Sequence, residues 1–435
     1  MWKKPGTPIP IDASQLALGL HVWLDLRWDE HAFLTNRFLL KTENDIAIIR
    51  TYNTAGRLYY YPEKSTSKPA ARMTLITPVA DAAVEQAAIF QSAQDAALKQ
   101  ELVRAEKAKK DKFRMQKDAA VRADRAWEKA ASATREGLLN LARSPKSAGE
   151  QLALLSRETA STIAKGQEVL LHLLGDKKDQ GPQFHALNTM TLCMLVGKKV
   201  GLSEVDLADL ALGALAHDAG KAQIPPQILK TWPRKKHEEE FYRQHVQYGL
   251  QFAAQSGAFS RGALAVIADH HEAVDGSGWP RGNKVASVGA RILAIVDRYD
   301  RLCTPEAVGR EPLLPSEALS TMFRKQVNEF DAALLHTLIK LLGVYPPGTV
   351  VQLSDESLAL VVSPGPHSLR PRVLLYSPEL AKEEAPMLEL AGEPDLKIVE
   401  TIRPSTLPID VLQWLNPQQR LSYFFSVANT EATAS

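Results

Sequence analysis

Apolar residues along this chain change their spacing several times, and each change marks a different kind of element. From Ile9 to Tyr61 short apolar runs alternate with polar or glycine-containing turns: Val22-Trp23-Leu24-Asp25-Leu26, Phe38-Leu39-Leu40, Ile46-Ala47-Ile48-Ile49 and Leu58-Tyr59-Tyr60-Tyr61. That pattern predicts strands and a small β-rich or α+β module. Pro62 to Pro78, with Lys-Ser-Thr-Ser-Lys-Pro inside it, reads as a linker. Between Pro78 and Pro145 there is no proline and one glycine, Gly137, while Ala, Gln, Glu, Lys and Arg dominate. Such side chains lose little rotamer freedom in a helix, so one or two long helices are predicted. The stretch Glu101 to Lys117 holds seven basic and three acidic residues, which reads as a solvated helix face or coiled-coil flank.

After a break at Arg143-Ser-Pro-Lys-Ser-Ala-Gly149 the spacing becomes helical. Ser203-Glu-Val-Asp206 is a capping-box-like start for a helix running to His217, with Leu207, Leu210, Ala214 and Leu215 on its apolar face. Further helices are predicted over Gly262 to His271 and Val288 to Leu302. Beyond Tyr345-Pro-Pro-Gly348 the pattern is strand-like again. Val350 to Leu353 and Leu358 to Val362 flank Ser-Asp-Glu-Ser as a hairpin, and Arg372 to Tyr376 follows as a third strand. The expected organisation is a β-rich module (1–78), a long helical segment (79–149), a helical domain (150–345) and a β-containing extension (346–435). The fold class is mainly α.

Composition narrows the function. At 435 residues the chain is long enough for about three domains, and it can bury a core without metal or disulfide staples. Lys and Arg (52) nearly balance Asp and Glu (50), which argues against a protein that coats nucleic acid; DNA is not an expected partner. Two distant cysteines, Cys193 and Cys303, form no disulfide framework, so a cytoplasmic location is expected. No apolar run approaches 18 residues, so no membrane span is expected, and the basic start lacks the apolar core of a signal peptide.

Seven of the 11 histidines lie between His172 and His271, inside the helical domain. His185, the pair His217-Asp218, His245, the pair His270-His271 and Asp297 sit in or beside apolar helical segments. A single histidine there is usually a packing residue. Five histidines and two aspartates on consecutive helices are not, because burying ionisable groups is costly unless they are paired or metal-bound. Imidazoles with carboxylates and no thiolate suit iron, manganese or zinc. Seven candidate ligands exceed the need of one ion, so two are expected, with Asp218 able to bridge them. Lys221, three residues after Asp218, shares its face if the helical turn continues, and could hold a phosphate. The loop Asp275-Gly-Ser-Gly-Trp-Pro-Arg-Gly282 offers the Trp279 ring as a stacking face.

The ordered set resembles the HD-GYP subgroup of the HD phosphohydrolases. The matching pieces are His185-Ala-Leu-Asn, Ala214-Leu-Ala-His-Asp-Ala-Gly-Lys221-Ala-Gln-Ile-Pro225, His245-Val-Gln-Tyr-Gly249, Asp269-His-His-Glu272, Asp275-Gly-Ser-Gly-Trp-Pro280, Ala290-Arg-Ile-Leu-Ala-Ile-Val-Asp297 and Phe330-Asp331. The preceding module resembles a poorly characterised proteobacterial N-terminal part. The resemblance implies an HD-type helical bundle. It also implies His185, His217, Asp218, His245, His270, His271 and Asp297 as metal ligands, with Asp218 and Lys221 catalytic. Lys221, Gly278, Trp279, Pro280 and Arg310 are the implied substrate contacts.

Three departures are visible. Gly181 stands where some members place a glutamate that helps hold a third metal, so two ions are expected. Gly278-Trp279-Pro280 replaces Gly-Tyr-Pro, keeping an aromatic ring without the phenol hydroxyl. The stretch from Asp300 lacks the Arg-Pro-Tyr-Arg-like phosphate clamp, leaving Arg310 as the clamp candidate.

The implied activity is hydrolysis of cyclic di-GMP by a metal-bridging hydroxide, either stopping at pGpG or continuing to GMP. The alternatives are a catalytically weak cyclic di-GMP sensor and an enzyme for a different phosphoester. Implied partners are a diguanylate cyclase (GGDEF) or another signalling protein. The N-terminal module and long helix carry no chemical constellation of their own, so they are expected to regulate the helical domain or to pair two copies of the chain through the long helix.

Overall fold

The apolar run Ile46-Ala47-Ile48-Ile49, expected as a strand, is part of a helix. In the computed structural model of the chain, Glu43–Thr51 form α1, opened by Thr42, whose hydroxyl accepts the Asp45 N–H while the Asp45 carboxylate accepts the Thr42 N–H. This reciprocal cap satisfies two donors that a helix start leaves unpaired. Ile46 and Ile49, one turn apart, then face the core and are buried. A strand would have thrown them to opposite faces.

The structure describes residues 7–26, 30–31, 33, 36–71, 124–166, 169–173, 181–378, 380, 382, 385, 387–394, 396–415 and 423–427, with scattered positions between 100 and 122. Most of the basic Glu101 to Lys117 stretch therefore lies outside the described residues, as does the end of the expected linker. Two units divide the chain: residues 1–117 with 352–358 and 375–388, and residues 118–351 with 359–374 and 389–435.

In the first unit, β1 (Ile9–Pro10), β2 (His21–Leu24), β3 (Arg37–Leu39) and β4 (Leu58–Tyr60) form an antiparallel sheet in the order β1-β4-β2-β3. Alternation along β2 buries Val22 and Leu24 and leaves Trp23 on the outer face. There Trp23 stacks on its cross-strand neighbour Tyr59 at 4.8 Å, with Arg37 5.2 Å over the indole. Leu20, Leu24, Leu40, Ile49 and Leu58 are fully buried beneath, each adding about 1.5–3 kcal/mol of burial.

The second unit is mainly α. Residues 124–140 form α2, followed by α3 (Pro145–Lys165), the strand β5 (Val169–Leu173), α4 (Pro182–Lys199) and α5 (Glu204–Ala216). Next come a 3₁₀ turn at Ala219–Gln223, α6 (Pro226–Lys230), α7 (Lys236–Arg243), α8 (His245–Ser256), α9 (Arg261–Asp269), α10 (Val288–Cys303), α11 (Pro315–Lys325) and α12 (Ala332–Leu342). One continuous core joins them: Leu187, Met190 and Met194 of α4, Leu210 and Ala214 of α5, Val266 and Ile267 of α9, and Leu293 and Val296 of α10. The α4 helix is buried almost all round, the mark of a helix enclosed by its neighbours. Among the described residues, no helix is long and apolar enough to cross a membrane.

Towards the C-terminus, β6 (Val350–Leu353), β7 (Leu358–His367), β8 (Arg370–Leu375), β9 (Met387–Glu389) and β10 (Ile398–Ile402) form a sheet in the order β10-β6-β7-β8-β9. The expected hairpin is its centre, closed where the Leu353 N–H donates to Ser357 O. After α13 (Ile409–Leu415), β11 (Tyr423–Val427) returns antiparallel to β5.

Candidate metal centre

Three histidines bond back to the last turn of the helix that precedes them. His217 follows α5, His245 follows α7 and His270 follows α9, and in each the ring Nδ1 donates to the carbonyl three residues earlier, at 2.7 Å. The acceptors are Ala214, Tyr242 and Ile267. Last-turn carbonyls have no partner within their own helix, so the bond serves both sides. It also fixes the tautomer, since a carbonyl can only accept, and leaves the Nε2 lone pair facing inward. The elements approach closely enough for this because Gly220 has no side chain: a Cβ there would collide with the His245 carbonyl.

His185 enters from α4 and is oriented differently. Its Nδ1 meets Asp300 Oδ2 at 2.7 Å, and Asn188 Nδ2 donates to the other Asp300 oxygen at 3.0 Å. Its Nε2 lies 3.0 Å from Asp297 Oδ1 and 3.2 Å from His217 Nε2.

All seven residues singled out as metal ligands come together. Two triads, His245–His270–His271 and His185–His217–Asp297, each place their ligand atoms within 4.8 Å of one another, and His217–Asp218–His270 links them. Asp218 faces both: Oδ2 is 3.4 Å from His217 Nε2 and 3.6 Å from His185 Nε2, while Oδ1 is 3.6 Å from His245 Nε2. The Nε2 atoms of His245, His270 and His271 and Oδ1 of Asp218 are buried without a hydrogen-bond partner. Burying a polar atom unpaired costs roughly 1–3 kcal/mol, so four at one point need a common partner. Acceptor atoms of neutral imidazoles and a carboxylate fit a first-row divalent cation. These clusters could hold metal.

Electrostatics divide the centre. Burial pushes His245 down to about 4, and His270 and His271 well below the usual imidazole value, so these rings are neutral. Burial would lower His217 too, but the Asp218 and Asp297 carboxylates outweigh it and raise its pKa to about 9. Burial disfavours charge on Asp218 and Asp297, yet Arg301 leads the neighbours that hold both well below the carboxylate range.

Arg301 was not evident as a site residue. Its Nε lies 2.7 and 2.9 Å from the Asp297 oxygens and its Nη2 2.6 Å from Asp218 Oδ2. Lys221 does share the Asp218 face, with Nζ 2.9 Å from Oδ2, and a second bond ties it to Glu306 at 2.7 Å. Arg310, the clamp candidate, lies 4.6 Å over the Trp232 ring, so Arg301 supplies the guanidinium seen inside the cluster.

The Gly278-Trp279-Pro280 loop lies against the tri-histidine side. Trp279 stacks on His271 at 4.1 Å and meets His245 edge-on at 5.6 Å, with Arg243 5.3 Å over its ring. The Trp279 N–H donates to His271 O, and the buried Glu272 carboxylate accepts the N–H groups of Arg281 and Asn283. A Cβ on Gly278 would collide with the Ala273 amide and the Glu272 backbone, so only glycine fits.

A family profile described as HD domain matches residues 168–334, a span that contains every one of these groups. Residues 168–334 form an HD domain. A second profile, described as a domain of unknown function (DUF3391), matches residues 9–151. The HD-domain chain is 28% identical to a cyclic di-GMP phosphodiesterase of Pseudomonas aeruginosa over 248 residues, 55% of this chain and 59% of the relative. It is 29% identical to a cyclic di-GMP phosphodiesterase of Thermotoga maritima over 41% of this chain and 50% of the relative. The chain thus spans about half the length of these curated relatives. A 3'3'-cGAMP-specific phosphodiesterase of Vibrio cholerae is 33% identical over 29% of this chain and 30% of its own. Among solved structures, an HDG"Y"P protein from Bdellovibrio bacteriovorus aligns at 14% identity with a TM-score of 0.43, covering 76% of this chain and 97% of that one.

Proposed function

We propose that the HD domain is a two-metal phosphodiesterase that opens cyclic di-GMP to linear pGpG and carries it on to GMP. One observation supports the reading above the others: Asp218 presents its two oxygens to two ligand triads, while its own Oδ1 and three buried imidazole Nε2 atoms beside it lack hydrogen-bond partners. The relatives named for cyclic dinucleotide hydrolysis support the substrate class.

His185, His217 and Asp297 would hold one ion and His245, His270 and His271 the other, with Asp218 between them. Iron or manganese suits this donor set best, and zinc also fits. Bound ions would supply Lewis-acid polarisation of a phosphoryl oxygen and activation of water. The chain's own groups do the rest. The Nδ1 tethers hold three imidazoles in the ligating tautomer, and Asp300 does the same for His185. Burial and Arg301 press the Lys221 ammonium down, but Asp218, Tyr242 and Glu306 more than restore it, so Lys221 stays charged for a phosphate. Trp279, beside His271, offers a face to a purine. The N-terminal unit, with no comparable cluster among its described residues, would regulate this domain or pair two copies of it.

The test is anaerobic loading of the full chain with iron or manganese, incubation with cyclic di-GMP and chromatography of the products. pGpG and GMP are expected, and Asp218→Ala should abolish them. Arg301's hold on Asp218 and Asp297 favours a second reading, a sensor that binds without turnover. Saturable binding to the loaded protein with no product would establish that one instead. Competition from 3'3'-cGAMP separates the two cyclic dinucleotides as substrates.

A further inference from the structure

The chain's own groups serve the two triads unequally. On the His245–His270–His271 side the acceptor atoms are orphaned. On the other side fixed cations already serve the carboxylates: Arg301 spans Asp297 and Asp218, and Lys221 shares the same Asp218 oxygen. The guanidinium reaches both because position 301 lies one helical turn beyond Asp297 on α10. Its side chain is only 17% exposed, so water and salt screen these contacts little. An imidazole can make room for a metal by losing a proton. A guanidinium cannot, so it has to move.

We propose that Arg301 is a resident counter-cation that competes with one of the two metal ions, so that the centre fills in two unequal steps. The tri-histidine side fills first and tightly. The His185–His217–Asp297 side fills only as Arg301 leaves Asp218 and Asp297. The displaced group has a neighbour to receive it: Glu306 Oε2 lies 3.4 Å from Arg301 Nη1, on a side chain 41% exposed. The inference rests on the two-ion reading above but concerns binding alone.

The experiment titrates the full-length, metal-stripped chain with Mn(II) and follows free Mn(II) by electron paramagnetic resonance. Two separable steps are expected for the natural chain. Arg301→Gln should leave the first within about twofold and tighten the second roughly ten- to a hundredfold, the range of ordinary coupling between competing ligands. Arg301→Lys, which keeps the charge, should stay close to the natural chain. With chelator present, Arg301→Gln should melt below the natural chain, because Asp297 loses its cation and Asp218 one of its two, and saturating Mn(II) should close that gap.

Two equal steps in the natural chain, or a weakened second step in a folded Arg301→Gln protein, would overturn the proposal. If that variant does not fold without metal, the rate at which a chelator strips the loaded protein gives the same answer. Slower loss of one ion supports competition, and faster loss refutes it. Two-step binding without hydrolysis would sink the catalytic reading and leave this one standing.

Discussion

The two sides of the candidate metal centre share one device and differ in the rest: His217, like His245 and His270, is aimed by a main-chain carbonyl, but its neighbours His185 and Asp297 are not. His245 and His270 are aimed by main-chain carbonyls at the ends of α7 and α9, and Trp279 stacks on His271 beside them. His185 and Asp297 are aimed by side chains: Asp300, itself held by Asn188, and Arg301. A carbonyl at a helix end cannot be mutated away, whereas each side-chain support is one codon from removal. The difference teaches where the centre is fixed and where it can be adjusted.

Asp218 belongs to both sides, so its loss should cost most. Asp218→Ala is expected to lower kcat by at least about a thousandfold and bound metal below two ions per chain, measured by product chromatography and elemental analysis. Retention of two ions would break the idea that this carboxylate joins the sides. Asp300→Asn sharpens the contrast, because it removes an orienting partner from His185 alone. Metal affinity at that side should fall about 10- to 100-fold, with the tri-histidine step little changed in the same titration. Equal loss at both steps would erase the distinction.

Gly278→Ala tests the loop. Its Cβ would meet the Ala273 and Glu272 backbone, which cannot give way as a flexible side chain can. A loss of about 1–3 kcal/mol in stability is expected, read as a lowered Tm with metal present. Trp279→Ala is the mildest change. Losing a stacked ring is worth about 0.5–1.5 kcal/mol, so the first Mn(II) step should weaken several-fold and the second should not move.

The convergence of these seven residues was legible in the sequence because paired histidines and aspartates at helical spacing leave little choice once burial is assumed. The capped start at Ser203 and the strands around Val22, Val350 and Leu358 were legible for the same reason: period and turn residues agreed. Ile46 to Ile49 misled because a short apolar run does not distinguish strand from helix. The deciding signal was polar, Thr42 three residues before Asp45. Arg301 stood in plain view, four residues after Asp297 and next to Asp300, and the i, i+3, i+4 spacing on α10 puts all three on one face. Arg310, the expected clamp, lies beyond the helix with its guanidinium over the Trp232 ring.

Gly220 carries one further consequence. The turn bearing His217 and Asp218 rests directly on the peptide that begins α8, with no side chain between them to swell, shrink or rotate. The gap between those ligands is therefore ruled by peptide geometry, which drift in the surrounding residues hardly touches. Replacing Trp279 or Arg301 would leave this backbone approach in place, so the spacing of His217 and Asp218 from the start of α8 depends on neither.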